Sequence, residues 1–137
     1  MNASKGVPQL MSSPVLAVRP AMPVTEALRV MARHRLRHLP VIEAGQCVGL
    51  VSELDLWAAL ANSDASAGVS VVAVCHAAPM VSSTDSTRTV ARRMLEYGRD
   101  AVLVTDDDEL VGVITAADLV RTLADVGSDV GESQARR

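Results

Sequence analysis

Two short runs carry the chemistry of this chain, and each places a carboxylate three residues after a hydroxyl. Ser52 precedes Asp55 and Thr115 precedes Asp118, each at the end of an apolar run bearing a glycine and ahead of an apolar helical stretch. Ser/Thr-x-x-Asp at such a place is close to a capping box. The hydroxyl accepts from a first-turn amide, and the carboxylate sits where the helix dipole favours negative charge. A cap of this kind stabilises a helix by about 1 kcal/mol. The same groups have a second use. The first amides of a helix lack partners inside it and form a natural phosphate site. A hydroxyl there can also donate to a phosphate oxygen. A carboxylate can accept both hydrogens of a ribose diol, each bond to a charged group contributing about 1.5–3 kcal/mol. Ser52, Asp55, Thr115 and Asp118 are therefore candidate ligands for a phosphorylated ribose, with capping alone as the alternative.

The two runs are copies of one another. Gly49-Leu50-Val51-Ser52-Glu53-Leu54-Asp55 recurs 63 positions later as Gly112-Val113-Ile114-Thr115-Ala116-Ala117-Asp118. The same offset aligns Val18 with Val81, Arg29 with Arg92, Met31 with Met94 and Val41 with Val104, without a gap from about residue 18 to 61. A supersecondary unit repeated in this way usually cannot bury its apolar face alone. The expectation is one compact domain built from two copies, which 137 residues accommodate. Phe is absent and there is one Trp and one Tyr, so the core must be aliphatic.

The elements that must position the hydroxyls and carboxylates follow from local patterning. In the first copy, Val7 to Met11 reads as a helical turn and Pro14 to Pro23 as extended, with Val15, Leu16 and Val18 as sheet contacts. Ala27, Leu28 and Met31 share a face at spacings of three and four, which predicts a helix over Val24 to His34. Leu39 to Glu43 and Cys47 to Val51 are β-branched runs divided by Ala44-Gly45-Gln46, a hairpin signal. Leu54 to Leu60 is helical again, and Asn62 to Gly68 has linker composition. The second copy repeats the order. It has a short helix over Val71 to His76, an extended Met80 to Ser82, and N-cap residues in Thr84 to Ser86. A helix from Thr87 to Tyr97 follows, closed by Gly98. Strands Ala101 to Thr105 and Leu110 to Ile114 flank an acidic turn, and a helix covers Ala116 to Ala124. A polar tail from Asp125 is expected to fray.

This order, with the Gly-apolar-apolar-Ser/Thr-x-x-Asp ending in both copies, resembles the CBS domain, which pairs within one chain as a Bateman module. The resemblance covers about Val7 to Ala124. It implies an α/β (α+β) fold of two tandem β-α-β-β-α repeats, related by pseudo-two-fold symmetry. These are residues 7–61 and 70–124, with a linker at 62–69 and a flexible tail at 125–137. It further implies that Asp55 and Asp118 read a ribose while Ser52 and Thr115 meet phosphate. The ligand would be an adenosine-containing molecule (AMP, ADP, ATP or S-adenosylmethionine) in the cleft between the copies. In some nucleotide-sensing members a basic pair before the second strand faces the phosphates. The matching residues are Arg37 and His38, whereas the second copy has Asp100 and Ala101. Phosphate is thus expected to matter at one site, the alternative being a solvated helix end favoured by the dipole. A homodimer and an unknown regulated protein are the implied partners. A ligand-free dimeric interaction scaffold is the alternative function. Trp57 is read either as a subunit contact or as core.

Other classes are disfavoured. The net charge of −3, without a basic stripe, argues against a nucleic-acid ligand. No apolar run reaches about 18 residues, so no membrane-spanning helix is expected. Met1 to Pro8 lacks the order of a signal peptide, which makes the cytoplasm the expected location. No nucleophile–base pair or Walker-type loop is visible, and nothing is left over for a catalytic domain, so a stand-alone, non-enzymatic pair is expected. His34 and His38 are four apart but lack a third ligand, and Asp106 to Glu109 lacks the pattern of a calcium loop, so no metal is expected. Cys47 and Cys75 have no CxxC spacing and read as reduced, buried small hydrophobes.

Overall fold

Val24, Ala27 and Met31 are buried along one side of helix α1, Val24–His34, and this apolar stripe sets the helix against the hairpin that follows. The computed structural model describes residues 7, 11, 16–62 and 68–135, with side chains through 125. Parts of the expected N-terminal turn (8–10), of the extended run (14–15) and of the linker (63–67) lie outside the described residues. Helix α1 ends at Arg35, whose φ of 57° is left-handed. The matching residue of the second copy is Gly98, at φ 62°. Glycine takes this conformation freely, while a side chain there costs about 1–2 kcal/mol.

The hairpin pairs β1, His38–Glu43, with β2, Gln46–Ser52. Val41 faces Gly49 and His38 faces Ser52, with a bulge after Val41. Ala44 and Gly45 at the tip have φ of 51° and 79°, the signs of a two-residue type I′ turn. Helix α2, Glu53–Ala61, follows at once. Val18 joins the hairpin as a parallel bridge to Val41, a single-residue remnant of the expected extended run. The chain then returns over this unit: Val24 donates to the Val69 carbonyl and Val71 to that of Met22, and a 3₁₀ turn covers Val71–Ala73.

The second copy has β3, Met80–Ser82, parallel to β4, Ala101–Asp106, which pairs antiparallel with β5, Glu109–Thr115. Helix α3, Thr87–Tyr97, is capped by Ser86, whose hydroxyl accepts from the Thr89 amide at 3.1 Å. The hairpin tip is Asp107-Asp108, both at positive φ, and the bulge again follows the Val104 position. Helix α4, Ala116–Ala135, continues well past the expected end at Ala124, so the expected flexible tail is helical through Ala135.

Packing divides the chain into two units that do not coincide with the two sequence copies. Residues 16–78 form one unit, while residues 1–15 group with 79–137. The reason lies in two valines. Val71 is fully buried in the aliphatic core built on α1, β1 and β2, whereas Val7 is fully buried among Val81, Val90, Val102, Val104 and Ile114. Each core is free of buried polar side chains among the described residues. The 7–61 and 70–124 boundaries therefore describe sequence copies, and each packed unit takes the turn that opens the other copy.

Candidate functional site

Ser52 is extended, at φ −103° and ψ 161°, because β2 runs into α2 without a loop. That geometry aims its hydroxyl at the first turn. Ser52 Oγ accepts the Asp55 amide at 3.0 Å, and the Ser52 amide donates to Asp55 Oδ2 at 3.0 Å. The box is repeated in the other unit. Thr115 Oγ1 accepts the Asp118 amide at 3.2 Å, and the Thr115 amide donates to Asp118 Oδ2 at 2.8 Å. The first amide of each helix is also taken: Glu53 donates to the Arg37 carbonyl and Ala116 to that of Asp100, each at 2.8 Å. Of the first three amides only those of Leu54 and Ala117 have no acceptor among the described residues. These are the amides left for an anion.

The remaining carboxylate contacts differ between the copies. Asp55 Oδ2 lies 3.2 Å from His76 Nε2, and the Asp55 side chain keeps 28% of its exposure. No donor reaches Asp55 Oδ1 among the described residues. Asp118 Oδ1 lies 3.0 Å from Nη1 of Arg121, one turn along the same helix, and its side chain is 15% exposed. Neither His76 nor Arg121 stands out in the sequence. His76 is reached only through tertiary pairing, since its amide and carbonyl exchange hydrogen bonds with Leu50 at 3.0 and 2.8 Å. Arg121 has a local signal that the repeat comparison passes over: it is three residues after Asp118, where the first copy has Ala58.

The glycine of each motif allows a close approach. A Cβ on Gly49 would stand 2.8 Å from Cys75 Sγ and 3.0 Å from the His76 carbonyl oxygen. A Cβ on Gly112 would strike the side chain of Met11. The covering turns are alike, for the Cys75 amide donates to the Val71 carbonyl at 2.9 Å and the Met11 amide to that of Val7 at 3.2 Å. The position matching His76 in the other turn is Ser12, outside the described residues.

Arg37 and His38 are brought to the same end of the hairpin as Ser52. His38 is directly opposite Ser52 in the ladder. Arg37 is 83% exposed and its Nε is 3.9 Å from Glu53 Oε1, so its nearest charge is a carboxylate of the helix it was expected to serve. His34 and His38 form no metal cluster, and no group of three or more metal-ligating side chains exists among the described residues. Cys47 and Cys75 are free and half-buried. Burial pushes both thiols above the ordinary range, and the Asp55 charge adds to this at Cys75. No helix among the described residues is long and apolar enough to cross a membrane.

A model of the CBS domain matches residues 7–60 and, a second time, residues 71–125. The chain belongs to the CBS domain family. This CBS pair is 26% identical over 121 residues to an uncharacterised 17.7 kDa protein of Acidianus ambivalens, covering 88% of this chain and 74% of that one. It is 27% identical over 117 residues to the L-aspartate semialdehyde sulfurtransferase of Methanocaldococcus jannaschii, covering 84% of this chain but 22% of the enzyme. Among solved structures, the CBS domain pair of protein MJ0100 in complex with 5′-methylthioadenosine and S-adenosyl-L-methionine superposes with a TM-score of 0.80 at 23% identity, over 89% of this chain and 98% of that one. CBSX2 in complex with AMP superposes with a TM-score of 0.73 at 26% identity, over 88% and 97% of the two chains.

Proposed function

We propose that this CBS pair is a regulatory module that binds an adenosine-containing nucleotide at the N-termini of α2 and α4. Asp55 and Asp118 read the ribose, Ser52 and Thr115 lie beside the phosphate, and Arg37 and His38 add positive charge at the first copy. The observation that carries the reading is the pair of capping boxes. Each fixes a partly exposed carboxylate through one oxygen, next to a helix amide with no acceptor of its own. The AMP complex of CBSX2, at 26% identity, supports adenine nucleotide as the ligand class. A change in the ligand-bound state is read by a partner protein or a second copy of the chain in the cytoplasm, and the module performs no catalysis itself.

Dimerisation belongs to the same reading and also to its alternative, a ligand-free scaffold. Leu54 and Trp57 of α2 are 77% and 55% exposed, and Val120 and Leu123 of α4 are 64% and 68% exposed. Exposed apolar side chains following both motifs fit a second copy of the chain. Trp57 is thereby a surface residue, and of the two readings the contact role is the one proposed.

The test is a thermal-shift and calorimetric screen of AMP, ADP, ATP, S-adenosylmethionine and adenosine, with light scattering in parallel. A ligand at about 100 times its dissociation constant adds about 2.7 kcal/mol, a shift of several degrees. A dimer that binds none of them would leave the scaffold reading standing and end the nucleotide one.

A further inference from the structure

We propose that Cys47 and Cys75 form an oxidisable dithiol, closing to an intrachain disulfide that staples β2 to the segment carrying His76. The two sulfurs converge on one residue. Cys47 Sγ is 3.4 Å from the Gly49 carbonyl oxygen, so the thiol is turned along its own strand toward that glycine. Cys75 packs directly on Gly49, whose missing side chain leaves the space that Cys75 Sγ and Cβ occupy, 2.8 and 3.3 Å from where a Cβ would stand. The paired backbone bonds between Leu50 and His76 hold the Cys75 backbone beside the strand. Cys47 is two residues from Gly49 on β2, so both thiols stand beside one glycine, and closure requires their backbones to settle within the separation of about 4.4–6.8 Å that a disulfide spans. The charge of an ionised Cys75 adds to the burial that pushes the Cys47 thiol up.

The co-reactant is a peroxide. The Cys75 thiolate, the more exposed sulfur, attacks one peroxide oxygen; the S–O bond forms, the O–O bond breaks and hydroxide leaves. The Cys47 thiolate then attacks the resulting sulfenic sulfur, forming S–S and expelling a second hydroxide. Each hydroxide takes up a thiol proton, so two thiols are oxidised by two electrons and hydrogen peroxide is reduced to two waters. Burial of both thiols, the Asp55 carboxylate at Cys75 and the charge of Cys75 at Cys47 all disfavour the thiolates, with His76, paired to Asp55, the remaining titratable neighbour. Closure is therefore slow near neutral pH and quickens as pH rises.

The full chain, dilute and reduced, is treated with hydrogen peroxide at pH 8, alkylated, and digested after glutamate, which separates the two cysteines at Glu53. The expected result is a linked Cys47–Cys75 peptide pair within one chain, blocked to alkylation and released by dithiothreitol. Cys47→Ser, a conservative change at a half-buried position, abolishes the link and drives Cys75 to sulfinic acid. The proposal is overturned if both thiols of the folded parent are alkylated in full after peroxide, if each is oxidised separately without a link, or if links form only between chains.

Discussion

Asp55 Oδ2 stands 3.2 Å from His76 Nε2 while accepting the amide of Ser52, the cap of its own helix, at 3.0 Å. The carboxylate of the first copy thus has a competitor delivered by the returning chain, and that of the second copy has Arg121 instead. The two CBS motifs are equal as caps and unequal in the other contacts of their carboxylates.

Removing the imidazole should show this. His76→Ala leaves Asp55 Oδ2 with the Ser52 amide alone, so a ribose diol no longer competes with a side-chain donor there. Adenine nucleotide binding at the first copy is expected to tighten several-fold, with stability changed by no more than about 1 kcal/mol because the pair is partly exposed. Calorimetry against the parent decides it, and weaker binding would mean that His76 serves the ligand rather than competing with it.

Separating cap from ligand contact needs both aspartates. Asp55→Ala and Asp118→Ala each break a capping box, worth about 1 kcal/mol in denaturant titration. Nucleotide affinity at the altered copy should fall tenfold or more, since about 1.4 kcal/mol is a factor of ten. Parent-like binding in both variants would reduce these residues to caps.

Gly49 and Gly112 are the same residue of the repeat, and neither should tolerate alanine. The added methyl at Gly49 meets a sulfur at 2.8 Å and a backbone oxygen at 3.0 Å, which moves only with the strand pairing. At Gly112 it meets Met11 Cβ and Cγ, each at 2.8 Å, at the root of that side chain. Each Gly→Ala variant is expected to destabilise by about 1–3 kcal/mol. A variant that melts with the parent would contradict this account.

Arg35 holds a left-handed conformation that the second copy assigns to Gly98. Arg35→Gly should stabilise the chain by up to about 1 kcal/mol, the relief of strain being offset in part by the greater freedom of glycine in the unfolded chain. A fall in the denaturation midpoint would refute it.

The thiols predict a pH trend. Cys47 and Cys75 are raised above the ordinary range by burial, so the folded chain holds their protons more tightly than the unfolded chain. That contribution is complete below the ordinary thiol pKa of about 8.5 and is lost as pH rises through the folded values. Stability should therefore decline above that pH in the parent and less steeply in a Cys47→Ser, Cys75→Ser double variant. Alkylation at pH 8 should be slower for the native chain than for the same chain in denaturant.

What the sequence determined by itself was whatever depends on neighbours a few positions apart. Helix spacing, the Ser86 cap, the Gly98 stop, both hairpin tips and the two Ser/Thr-x-x-Asp boxes were legible because each is a local pattern, and the 63-residue repeat made every one of them visible twice. The repeat also carried the resemblance that the family match established. Only the tertiary structure decided which turn covers which sheet, because nothing in the few residues around Val7 or Val71 names the core that receives the valine. It also decided that Trp57 lies at the surface, that Cys75 fills the space Gly49 leaves, and that His76 reaches Asp55 from 21 positions away. Those contacts arise from backbone pairing between distant segments, and no periodicity along the chain encodes the partner of a residue brought in that way.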